Sequence, residues 1–150
     1  MINTNKSMVI LMADDDADDR LLAKDALTEC HLSGEVHFVE DGEDLLDYLQ
    51  HRGKYTGGTS APTPSLILLD LNMPKKDGRE ALREIKSNPD LRKIPVVVLT
   101  TSKADTDIAQ IYDLGANSFI SKPVAFDALV NVMRALGHYW WEIVELPVKK

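Results

Sequence analysis

Residues 8–20 read MVILMADDDADDR, an apolar run that ends at Ala13 and gives way to Asp14, Asp15, Asp16, Asp18 and Asp19. A short, continuous apolar run of this kind reads as a β-strand buried on both faces. The acids that follow repel one another. Two carboxylates ~4 Å apart at an effective dielectric of ~20 cost ~4 kcal/mol, so a fold that gathers several recovers that energy from a cation or spends it on a function. A solvated, acidic helix start is the plain alternative.

Outward from this stretch, two more strong runs end in a polar residue: LILLD at 66–70 and PVVVLT at 95–100. Weaker strand candidates are VHFV at 36–39, before the Asp41-Gly42 turn, and SFI at 118–120, before Lys122-Pro123. Between the strands, apolar residues fall at 22, 23, 26, 27 and 30, at 45, 46 and 49, at 81, 82 and 85, and at 108, 111 and 112. These are the spacings of one helix face. Asp16 or Asp18 is placed to cap the first helix, Asn88-Pro89 to stop the third and Gly115 to end the fourth. The pattern is β-α repeated five times. It implies an α/β fold, a parallel sheet with helices on both faces and right-handed crossovers.

Ligands in such folds bind at the carboxyl ends of the strands, near the point where strand order reverses. The rule selects Asp14 and Asp15 after strand 1, Asp70 after strand 3, Thr100 at the end of strand 4 and Lys122 after strand 5. Asp14, Asp15 and Asp70 offer hard oxygen ligands, too few for an all-protein calcium cage and suited to Mg²⁺, which keeps several waters. With Mg²⁺ and Lys122, the three carboxylates reach formal neutrality.

The length of 150 residues allows one well-formed core and is short for two domains. A net charge of -7 argues against a nucleic-acid or anionic-membrane surface, which rewards clustered Lys and Arg. The lone Cys30 forms no intrachain disulfide, and no apolar stretch approaches 18 residues, so the expected location is cytoplasmic. The segment 50–65, QHRGKYTGGTSAPTPS, reads as a mobile surface loop. His31, His37, His51 and His138 lack metal-ligand spacing.

Four segments, LMADD, LILLDLNMPKKDG, VVVLTTS and FISKP, resemble in order the signature segments of response-regulator receiver domains. The resemblance covers nearly the whole chain and implies a flavodoxin-like, doubly wound five-stranded parallel sheet of order 2-1-3-4-5 with five helices. It implies that Asp70 accepts a phosphoryl group from a histidine kinase. Mg²⁺ would be ligated by Asp15, Asp70 and the backbone carbonyl of Asn72, with Asp14 assisting through water. Lys122 would pair with phosphoryl oxygens, Thr100 would hydrogen-bond them, and Phe119 would be the switch aromatic. It further implies a Lys122-Pro123 peptide that is commonly cis. Such a protein is not an enzyme beyond its own phosphorylation and dephosphorylation.

The chain departs from the family in the extra acids Asp16, Asp18 and Asp19, in Thr101 where a small residue is frequent, and in the long 50–65 segment. The three extra acids read as a helix start that complements the helix dipole. After strand 5 the apolar stripe runs Leu129, Val132, Met133, Leu136, Trp140 and Ile143, so helix 5 is expected to continue past Gly137. The domain core is expected at about 7–136, with a C-terminal extension over 137–150 and no effector domain. Tyr139, Trp140 and Trp141 are interface candidates, consistent with a homodimer, against the alternative of a tail folded onto its own domain. NPDLRKIPVVVLTTS and WWEIVELP are most similar to regulators paired with phytochrome-type histidine kinases.

Rival readings are testable on the same residues. An EF-hand starting at Asp14 fails because its sixth position is Asp19 rather than Gly and its twelfth is Asp25 rather than Glu. A haloacid-dehalogenase-like phosphatase could use Asp14, Asp16, Thr100 and Lys122 but leaves Asp70 unexplained. A phosphorylation-independent adaptor is disfavoured by the intact Asp, Thr and Lys set.

Overall fold

The computed structural model describes residues 8–29, 34–57, 61–71, 73, 75–100, 105–123 and 125–138. Five strands, β1 (Met8–Ala13), β2 (Gly34–Val39), β3 (Leu66–Leu69), β4 (Val96–Thr100) and β5 (Ser118–Ser121), form one sheet. Its order is β2-β1-β3-β4-β5, and every pairing is parallel. Five α-helices alternate with them: α1 (Ala17–Glu29), α2 (Gly42–Gln50), α3 (Gly78–Ser87), α4 (Asp105–Asp113) and α5 (Phe126–Gly137). The expected fold is therefore observed, with β2 starting two residues before the apolar signal.

The inner strands β1, β3 and β4 are almost wholly apolar because both faces of the sheet are covered there, whereas the edge strands β2 and β5 carry Glu35, His37, Ser118 and Ser121. Leu11, Ala13, Ile67, Leu69, Val96 and Val98 face one core, completed by residues of α2, α3 and α4 such as Leu45, Leu82 and Ile111. The alternate residues Ile10, Met12, Leu66, Leu68, Val97 and Leu99 face a second core, closed by Ala23, Ala26 and Leu27 of α1 and Leu129, Val130 and Met133 of α5. This period-2 division is the strand geometry itself. Leu22 and Tyr112, expected on the buried helix faces, are instead exposed. The Tyr112 hydroxyl accepts the Phe119 N–H at 3.1 Å.

Helix ends follow the local sequence. The Asp16 carboxylate accepts from Asp18 N at 2.8 Å and Asp19 N at 3.2 Å, so Asp16 caps α1. Asp41 caps α2 and Asp77 caps α3. Gly115, at φ +107, lets α4 close with the Gly115 N–H on the Tyr112 carbonyl and the Ala116 N–H on the Ile111 carbonyl. His138 keeps helical dihedrals after Gly137, in line with the unbroken stripe, and the remainder of the tail lies outside the described residues.

The 50–65 segment, read from its composition as a mobile surface loop, is exposed over 51–54 and 56–57 and has fixed points of attachment. It carries a 3-10 turn, Gly53–Tyr55, and its described residues are tied to α2. The Tyr48 hydroxyl donates to the Pro62 carbonyl at 2.8 Å, the Tyr55 hydroxyl donates to Asp44 at 2.8 Å, and Ala61 is fully buried. Two tyrosines supply the large buried rings and the hydroxyl bonds that hold the segment against α2.

Candidate functional site

β1 and β3 are neighbours in register, with Ala13 opposite Leu69, so the next residues, Asp14 and Asp70, emerge side by side. Their backbones are fixed by ladder extensions, Asp14 N to the Val39 carbonyl and Asp70 N to the Ala13 carbonyl. Arg20 from α1 donates to the Asp14 carbonyl at 2.7 Å. Asp14 is fully buried and Asp70 nearly so, while Asp15 faces solvent. Each of the three offers a carboxylate oxygen, all within 4.8 Å of one another.

Lys122 follows β5 and reaches over the end of β4 to these acids. Its ammonium donates to Asp14 Oδ2 at 2.7 Å, Asp19 Oδ2 at 3.0 Å and Asp70 Oδ2 at 3.4 Å. Burial alone would lower the lysine pKa, but the hydrogen bonds to Asp14 and Asp19 and the charges of Asp14 and Asp70 outweigh it and hold the amine protonated. Asp14 moves up as well: its burial costs more than the bonds from Lys122 and Asp16 N return. One lysine thus leaves the acidic cluster undercompensated. That deficit, with hard oxygen donors and an exposed side at Asp15, fits a hydrated divalent cation.

The α3 side of the site is built on a close approach. A Cβ at Gly78 would lie 2.5 Å from the Asp70 carbonyl oxygen, so only glycine lets α3 start against the β3 exit. Gly42 likewise admits the Lys76 carbonyl, at 2.0 Å from where its Cβ would sit.

Asp14, Asp15, Asp70 and Lys122 therefore converge as their strand-end positions predict. Thr100 closes β4 opposite Ser121, but its side chain lies outside the described residues, as do Asn72, Thr101, Tyr139, Trp140 and Trp141. Phe119 packs half-buried against the first core. The Lys122-Pro123 peptide, expected cis, is trans; the two isomers of an X–Pro bond differ by only about 0.5–1 kcal/mol, so the sequence does not dictate the choice. Asp16 is spent on its helix cap, which removes the second acid of the phosphatase reading. Asp19, read as a solvated helix acid, is part of the site. Its signal was its place three residues after the capping Asp16, on the first turn of a helix that starts at the strand end.

The family model for the response regulator receiver domain matches residues 10–134. The chain belongs to the response-regulator receiver family. The receiver is 41% identical to response regulator Rcp1 of Synechocystis sp. over 96% of each chain, and 37% identical to the probable methanogenesis regulatory protein FilR2 of Methanothrix harundinacea over 93% of this chain and 88% of that one. The Mn²⁺-bound form of Rcp1 superposes with a TM-score of 0.84, covering 94% of this receiver and 99% of that chain. The phosphorylated cyanobacterial phytochrome response regulator RcpA, 40% identical, gives 0.87 over 95% and 100%. The receiver is thus a two-component signalling protein of the phosphorelay type, akin to phytochrome-associated regulators. No helix among the described residues is long and apolar enough to cross a membrane.

Proposed function

We propose that this receiver accepts a phosphoryl group on Asp70 from a phosphohistidine of a phytochrome-type sensor kinase, with Mg²⁺ held directly by Asp15, Asp70 and the carbonyl of Asn72 and through water by Asp14. The observation that carries the reading is the shared ammonium: Lys122 bridges Asp14 and Asp70 at the ends of adjacent strands. A divalent ion, such as the manganese bound by Rcp1, supplies charge neutralisation at the transferring phosphoryl. An Asp70 carboxylate oxygen bonds to phosphorus as the P–N bond to histidine breaks, and the electron pair leaves with the ring nitrogen, which exchanges protons with solvent water. Lys122 follows the new charge onto a phosphoryl oxygen. Thr100 donates its hydroxyl to another, and Phe119 turns with it.

Transfer of this kind needs in-line positioning and charge stabilisation more than covalent chemistry from the protein. The protein therefore acts as a switch that catalyses only its own modification and its reversal. Its core over about 7–136 signals by contact in the cytoplasm, and Tyr139, Trp140 and Trp141 of the 137–150 extension serve a homodimer interface. Incubation with a small phosphodonor and Mg²⁺ adds one phosphoryl group by intact mass, and Asp70→Asn abolishes it. Equal labelling of the variant would remove Asp70 from the role.

A further inference from the structure

Lys122 has three N–H donors, and all three are committed in this arrangement, to Asp14, Asp19 and Asp70. The longest of the three is the bond to the acid proposed to react. Asp19 comes from a different element, the first turn of α1, whose start is fixed by the Asp16 cap on the Asp19 N–H, and from there its carboxylate reaches the ammonium. Its side chain is one-third exposed, against 11% for that of Lys122. Solvent therefore competes for Asp19 far more than for Asp14.

We propose that Asp19 is a positioning residue that holds Lys122 back from Asp70 and so restrains phosphorylation. The inference rests on Asp70 being the phosphoacceptor. An incoming phosphodonor must draw the ammonium towards its oxygens, and Asp14 and Asp19 hold the ammonium by the shorter bonds. Asp14 is buried among the strand ends, whereas Asp19 is partly open to solvent, so it is the partner whose carboxylate can be neutralised without leaving a buried group unpaired. Asp19 thereby ties the start of α1 to the phosphorylation state of the strand ends. Neutralising it releases one donor of Lys122 to the phosphoryl group.

Asp18 supplies the control. It sits on the same helical turn, carries the same charge and is exposed, and Asp14, Asp19 and Asp70 are the acids that take the Lys122 bonds. The initial rate of labelling by acetyl phosphate with Mg²⁺ is followed by intact mass for wild type, Asp19→Asn, Asp18→Asn, Asp19→Glu and Asp70→Asn. Asp19→Asn labels severalfold faster than both wild type and Asp18→Asn, and Asp19→Glu, which keeps a carboxylate within reach of the ammonium, returns the rate towards wild type. A shift shared by Asp18→Asn and Asp19→Asn would reduce the effect to general charge and overturn the inference, as would an unchanged or slower Asp19→Asn. Persistent labelling of Asp70→Asn would instead sink the phosphoacceptor reading beneath it.

Discussion

The carbonyl oxygen of Asp70 lies 2.5 Å from the point where a side chain at Gly78 would begin, and the Leu71 Cα lies 2.7 Å from it. Gly78→Ala must therefore push the β3 exit and the α3 start apart. Overpacking of this kind costs about 1–3 kcal/mol, measurable in urea unfolding. The sharper effect is on chemistry: displacement of Asp70 by a fraction of an ångström slows phosphodonor labelling on the order of 10-fold or more. A variant with wild-type labelling would show that the Asp70 backbone tolerates the shift.

Divalent metal should stabilise the native state, because it relieves the crowding of Asp14, Asp15 and Asp70. At ten times its dissociation constant, Mg²⁺ adds about 1.4 kcal/mol, seen as a rise in Tm that EDTA reverses. Asp15 is exposed, so Asp15→Asn changes metal-free stability by no more than about 0.5 kcal/mol while removing most of the Mg²⁺-dependent rise. An equal rise in the variant would place the ion elsewhere.

Tyr48 gives a prediction at alkaline pH. Burial, reinforced by the charge of Glu35, pushes its phenol from 10.0 up to about 12. The raised value means that the folded state keeps a proton the unfolded chain has lost, so this contribution is fully present below pH 10 and disappears as pH rises to 12. The loss is about 3 kcal/mol by proton linkage. Tyr55 shifts the same way through burial and its bond to Asp44. Tyr48→Phe loses about 1 kcal/mol at neutral pH with the bond to Pro62 and shows a shallower decline between pH 10 and 12. A decline as steep as that of wild type would assign it to other groups.

Much of the site was legible because its residues mark the ends of strong signals. Asp14 and Asp70 each terminate an apolar run, and alternation of strands and helices alone sends such ends to one edge. Asp19 was not legible in this way. Whether an acid on a first helical turn meets solvent or a lysine 103 residues away depends on where the helix begins, which the Asp16 cap sets, and on how it is rotated, which the packing of Ala23, Ala26 and Leu27 sets. The composition of 50–65 marked a surface segment but not its points of attachment: its Gly, Pro and Thr describe the backbone, whereas Tyr48 and Tyr55 fix where it lies. The trans bond at Pro123 turned on an energy difference too small for sequence to fix.

The contact between Tyr112 and the Phe119 N–H has a consequence for how copies of this chain avoid one another. β5 is an outer strand of the sheet, and an outward N–H there is a template on which a stray strand could add. The phenol occupies that donor from the same chain, so unwanted β-augmentation at this margin loses a hydrogen bond before it starts.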